Sequence, residues 1–172
     1  ADISQEALAG VGLGGVGAFT LLCFSIGLLR AVKVLTSQAV GAGHPGEANG
    51  FLAGGIIWGA SLGLLCILVG IIGSPLLSWV AGEVSVGKYA VEYFSIRIIG
   101  APLFLVYVAL REGMYGRGDA RTPMVSSVVA NIVNIGLAYY FIRVLNWGVA
   151  GAAWSSVVGN LIEVLWLAGA EY

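Results

Sequence analysis

Five stretches without a charged side chain dictate what this 172-residue chain can become: residues 7–29, 48–82, 98–110, 122–142 and 144–162. A bilayer's hydrocarbon core is about 30 Å thick and takes about 20 apolar residues at 1.5 Å per residue. A helix is the only open element that satisfies its own backbone there. The runs therefore read as an all-α integral membrane bundle of five helices, near 8–29, 51–73, 89–110, 124–145 and 148–168, forming one transmembrane domain over 1–172. Composition agrees: 10% of the residues are charged and 59% hydrophobic, with a mean hydropathy of +0.95, whereas soluble domains carry about 25% charge. Eight Lys plus Arg against nine Asp plus Glu leave a net charge of −1, so there is no basic field to hold nucleic acid.

The third span carries Glu92 and Arg97 in its first half, and Gly100 with Pro102 predicts a kink, because proline removes a backbone donor. The segment SPLLSWVAGEVSVGKYA (74–90) predicts a short surface helix, with Trp79 and Tyr89 as interfacial anchors. Nothing at the start reads as a signal peptide, so the first run is a true span. Arg30, Lys33, Arg111, Arg117 and Arg121 fall in the loops after spans one and three, against Lys88 and Arg143 on the other side. Those two loops are expected in the cytoplasm of a plasma or inner membrane, with residue 1 outside and residue 172 inside.

Chemistry-bearing constellations are sparse. Cys23 and Cys66 lie within spans, at different depths of an antiparallel pair, and read as small core residues. His44 has no second histidine or cysteine nearby, so no metal site is expected. GVGLGGVG from Gly10 imitates a nucleotide-binding pattern but lies inside an apolar span. Gly10 with Gly14, and Gly55 with Gly59, read as close helix contacts. No nucleophile–base pair suggests an enzyme.

Polar residues within spans say more. Ser127, Asn131 and Asn134 share one face of the fourth span, as cation ligands or cavity lining on one reading and as interhelical hydrogen bonds on the other. In the fifth span, Asn160 and Glu163 stand at i, i+3 after Ser155 and Ser156. Glu163 is a proton carrier or, preferably, a charge near the cytoplasmic boundary reaching water or a neighbouring base. Arg97 is expected in an ion pair with Glu92 or another carboxylate, the alternative being a cavity that attracts anions.

VLTSQAVGAGHPGEAN (34–49), YGRGDARTPM (115–124), NIVNI (131–135) and WGVAGAAWSS (147–156) together resemble the multidrug and toxic compound extrusion (MATE) family. The resemblance implies helices two to six of the amino-terminal lobe in a twelve-helix transporter. It also implies alternating-access export of organic, often cationic, compounds in exchange for sodium ions or protons, with no cofactor beyond the coupling ion. The expected partners are the bilayer, a small organic substrate, and the missing helices or another copy of the chain. By resemblance, Asn134 is an ion-linked asparagine and Ser156 an ion-linked hydroxyl, with Asn131 and Arg97 as further cavity candidates. Ala138, four after Asn134, offers no ligand, and the family's first-helix carboxylate would precede this chain. A hard cation wants more oxygens than Asn134 and Ser156 supply. The loop motifs themselves read as architecture: Asp119 caps and Pro123 starts the fourth span, while Gly41, Gly43, Pro45 and Gly46 end the first. Two rival readings are a non-transporting membrane scaffold, suggested by the glycine faces, and a flippase of the same superfamily moving a lipid-linked sugar. The latter would want more cavity cations than Arg97.

Overall fold

A computed structural model describes residues 4–170, so the ends at residues 1 and 172, on which the expected orientation was stated, lie outside the described residues. Regular structure among those described is helical: α1 (Gln5–Gly41), α2 (Pro45–Ala81), α3 (Val84–Ile99), α4 (Ala101–Gly116), α5 (Arg121–Tyr139) and α6 (Gly148–Ala170). A π-helical turn, Tyr140–Val144, prolongs α5. Four helices are long and apolar enough to cross a membrane, and α3 with α4 makes a fifth span bent by 53°. The bend falls at Gly100 and Pro102, as their positions predict.

Two boundaries differ from expectation. α1 does not stop near residue 29; its 37 residues make a rod about 55 Å long. The segment after Arg30 contains no glycine or proline before Gly41, and its buried positions Val32, Thr36 and Ala39 continue the helical spacing of Leu22, Ser25 and Leu29. Arg30, Lys33 and Arg111 accordingly lie on helices and not in loops. The turn comes where the glycines place it, at Ala42–His44, with Gly43 at φ +78°.

The expected surface helix at 74–90 is likewise absent as a separate element, because α2 runs through Pro75 to Ala81 and α3 begins at Val84. Proline leaves the carbonyl four residues earlier without its amide donor. Here the Ser74 hydroxyl donates to that carbonyl, Ile71 O, at 3.0 Å, which lets the helix continue. Gly82 then ends α2 in the left-handed region.

α1, α2 and the bent α3–α4 span pack on one another; α6 lies against α3 and α4, while α5 packs chiefly on α6. α4 is the innermost helix, with Ala101, Leu105, Val108 and Ala109 fully covered. Its close neighbours are glycines. A Cβ on Gly59 would stand 2.9 Å from Leu105 O, and one on Gly63 would overlap the Pro102 backbone. Gly14 meets Ala90 O at 2.5 Å and Gly55 meets Val32 Cγ2 at 2.5 Å in the same sense, so both glycine pairs are helix-packing devices. Cys66 is buried beside Ser25 (3.7 Å), whereas Cys23 is exposed and donates to Thr20 O. Ser25 lies two residues beyond Cys23, so the helix face and not the depth separates the thiols, and Cys23 is not a core residue.

Lys33 over the Tyr115 ring (5.6 Å) and Arg117 donating to Asn49 (2.9 Å) tie α1, α2 and α4 together at one end of the bundle. Most of the basic side chains gather towards this end. The opposite end holds the α2–α3 and α5–α6 turns, with Lys88 and Arg143. Trp79 is 80% exposed there, beside the α2–α3 turn.

Candidate functional site

Polar side chains on α5 and α6 cannot face lipid without cost, so they turn towards each other and towards α3 and α4. The result is a cavity of about 200 Å³ lined by Arg97, Asn131, Asn134, Ser156, Asn160 and Glu163, with Ala130 and Gly159 as its small-residue wall. α5 contributes residues spaced 4 and 3 apart, and α6 does the same with Ser156, Asn160 and Glu163. Gly159 faces Asn134 here, and a Cβ added to it would stand 3.6 Å from Asn134 Cβ, in ordinary contact. α3 supplies Arg97 just before the break, whose Gly100 presses on Val157 of α6.

Asn134 Nδ2 donates to Ser156 Oγ at 3.4 Å, a long hydrogen bond that joins the two residues named from the sequence. Ser156 donates in turn to Ala152 O (3.2 Å). Asn131 stands at the exposed rim, with its amide donating to Ser127 O on its own helix at 2.7 Å. Ala138 is not part of the lining.

Two expectations are overturned. Arg97 has no acidic partner within ion-pair distance among the described residues: Glu92 is exposed, Glu47 stands beside His44 and Glu112 pairs with Arg111. The bend at Gly100 instead leaves Arg97 half-buried on the cavity wall. Glu163 does not reach water at a boundary; it is 8% exposed, and its Oε1 accepts a hydrogen bond from Ser127 Oγ at 2.9 Å. Ser127 also meets Tyr107 Oη at 3.2 Å, and the Arg111 guanidinium lies 5.3 Å from the centre of the Tyr107 ring. The 3- and 4-residue spacing from Ser156 through Asn160 to Glu163 was the signal for this face. Depth within the bundle could not be read from it.

Two of the larger cavities are of another kind. One of about 460 Å³ between α1 and α2 is lined by Leu28, Val32, Phe51, Gly55, Trp58 and their neighbours, and one of about 650 Å³ by α1, α2 and Phe94. Neither contains a charged side chain. Outside the spans, Asp119 Oδ1 accepts from the Arg121 and Thr122 amides, each at 3.0 Å, so it caps α5 as expected. Thr122, through its hydroxyl and amide, is the main reason the Asp119 carboxyl lies below the usual range, with the Arg121 amide assisting. His44 and Glu47 pair at 3.4 Å, and the described residues hold no cluster of metal-ligating side chains.

The fold is an all-helical bundle with one broken span and a charged, amide-lined cavity away from its apolar core. The chain belongs to the MatE family, whose model matches residues 1–140, and is a multi-pass membrane protein. Protein DETOXIFICATION 43 of Arabidopsis thaliana is 36% identical over 113 residues, which cover 64% of this chain and 22% of that protein. DNA damage-inducible protein F of Escherichia coli is 28% identical over 162 residues, covering 92% of this chain and 35% of its own length. Among solved structures, an inward-facing multidrug resistance MATE family transporter of the MOP superfamily superposes with a TM-score of 0.90 at 24% identity, covering 97% of this chain and 38% of that one. A MOP superfamily transporter from Pyrococcus furiosus gives a TM-score of 0.91 at 23% identity, over 98% of this chain and 38% of its own. The chain thus spans about a third or less of the length of these curated relatives. Its fold is that of the part of the transporters it covers.

Proposed function

We propose that these residues serve in a secondary active antiporter that exports organic, often cationic, compounds in exchange for sodium ions or protons by alternating access. The observation that carries this reading is the cavity itself. In a chain of this family, three amides, a hydroxyl, an arginine and a buried carboxylate converge between α3, α5 and α6, where packing alone would favour apolar side chains. Asn134 and Ser156 are the ion-linked pair of this proposal, and Arg97 and Asn131 line the path. Two oxygen donors are too few for a sodium ion, so further ligands would come from helices outside these residues or from another copy. The basic end carrying Arg30, Lys33, Arg111, Arg117 and Arg121 would face the cytoplasm of the plasma or inner membrane.

The test is transport by the complete protein in lipid vesicles. A permanently charged dye is placed on one side and a proton or sodium gradient is imposed. Gradient-driven movement of the dye is expected with one of the two ions; no movement of any organic cation under either gradient would refute the reading. The mass of the single polypeptide isolated from its own membrane separates the arrangements, since a chain of about 17.7 kDa points to assembled copies and one of more than twice that to a longer single chain.

A further inference from the structure

The feature that this reading leaves unused is the buried line from the cavity into α4. Glu163 is the one acidic side chain among the residues lining the cavity. An ionised carboxylate only accepts hydrogen bonds. With Ser127 Oγ donating to Glu163 Oε1 at 2.9 Å, that hydroxyl's single proton is committed, and Tyr107 Oη, at 3.2 Å, must donate to Ser127. Both hydroxyls therefore point towards Glu163, and three helices are joined by one polarised chain: α4 through Tyr107, α5 through Ser127 and α6 through Glu163.

We propose that Glu163 is the proton-binding residue of this part of the transporter, and that Ser127 and Tyr107 are positioning residues that convey its protonation to α4. A proton arriving from the cavity adds to the carboxylate; no heavy-atom bond forms or breaks, and no other group loses a proton. The bond from Ser127 then loses its charge assistance, which roughly halves its strength. A carboxyl proton pointing to Ser127 would also turn both hydroxyls the other way. Either change loosens or reverses the tie between α4, α5 and α6. The charged or titratable groups facing Glu163 are Arg97 from α3 across the cavity, and Tyr107 with Arg111, itself paired to Glu112, from α4. α5 presents only Ser127, Asn131 and Asn134 there, and Arg143 on the π-helical turn lies against the opposite end of α6. The binding of a proton here rests on the proton-coupled form of the proposed function.

The experiment is infrared difference spectroscopy between pH 5 and pH 8 on the complete protein in lipid vesicles, together with the pH profile of dye transport. A protonated-carboxyl stretch that titrates in the wild type is expected to vanish in Glu163→Gln and to shift in frequency in Ser127→Ala and Tyr107→Phe, with Ser127→Thr restoring it. Transport by Glu163→Gln should lose the limb on which the wild-type rate changes about tenfold per pH unit. If Glu163→Gln does not yield folded protein, Ser127→Ala decides alone, because an unshifted carboxyl band there overturns the proposal. So does a full pH difference spectrum in folded Glu163→Gln. A titrating Glu163 band in a protein that moves no organic cation would sink the antiporter reading and leave this one standing. Transport with an unaltered pH profile in Glu163→Gln would do the reverse.

Discussion

The two sides of α4 are built on opposite principles. Towards α1 and α2 it meets glycines and aliphatic side chains, and its backbone comes so close that Gly63 has no room for a methyl group against Pro102. Towards α5 and α6 it meets Ser127, which is bonded to Glu163 of the polar cavity, and α5 is held chiefly by α6. Lipid tails are as apolar as leucine, so helices associate in a membrane by close packing or by polar bonds. The first side uses packing, and the two cavities between α1 and α2 are apolar; the second uses polar bonds around a polar cavity. The proposed site lies on the second side for that reason.

Gly63→Ala should break this contrast hardest. The added methyl group has only the Pro102 backbone to displace, and overpacking of this kind costs about 1–3 kcal/mol, so a sharp loss of monodisperse protein and of thermal stability in detergent is expected. Wild-type stability there would mean that the α2–α4 seam is not the rigid side. Next in size, Asn134→Leu removes the donor to Ser156 and should slow ion-driven export by about tenfold, the equivalent of one lost hydrogen bond, with expression intact. Vesicle transport at the wild-type rate would remove Asn134 from the site.

A smaller effect is expected outside the membrane. Asp119→Ala removes the α5 cap and should cost about 1 kcal/mol, read as a lower unfolding temperature with unchanged substrate affinity. The folded Asp119 carboxyl lies below its unfolded value. Its contribution is therefore complete above the unfolded carboxylate range near pH 4 and is lost as pH falls through the lower folded value. The difference between wild type and Asp119→Ala should shrink correspondingly in acid; a constant difference would assign the effect to something other than the ionised cap. Smallest of all is Gly136→Ala on the thinly packed side, where no atom lies within 4 Å of the new methyl group. Helix propensity alone should then stabilise the protein by up to about 1 kcal/mol, opposite in sign to Gly63→Ala. A loss would reveal a neighbour covering that face of α5.

Local features carried much of the architecture. The bend at Gly100 and Pro102, the turn after Gly41, the cap at Asp119 and the glycine contacts all follow from residues adjacent in the chain or one helical turn apart. The differences have two sources. The second span is expected to end near residue 73, and the Ser74 hydroxyl lets α2 run on through Pro75. Arg30 and Lys33 looked like loop residues because charge normally marks the water boundary, yet buried Val32, Thr36 and Ala39 carry α1 past them.

The site divides along the same line. Asn134 and Ser156 were singled out by residue type and motif, and the fold joins them by a hydrogen bond. Arg97 and Glu163 were each assigned the wrong surroundings, because a helix's own sequence does not state what stands opposite it. Charge spacing was enough for the membrane class and the five crossings, and Gly100 with Pro102 for the break in the third, since the cost of a charge in hydrocarbon depends on the residue and its depth. Only the assembled bundle could seat Glu163 beneath Ser127 and turn Arg97 towards the cavity without an acidic partner. Burial and hydrogen bonding are properties of surrounding helices, and those neighbours are brought together by packing between residues far apart in the chain.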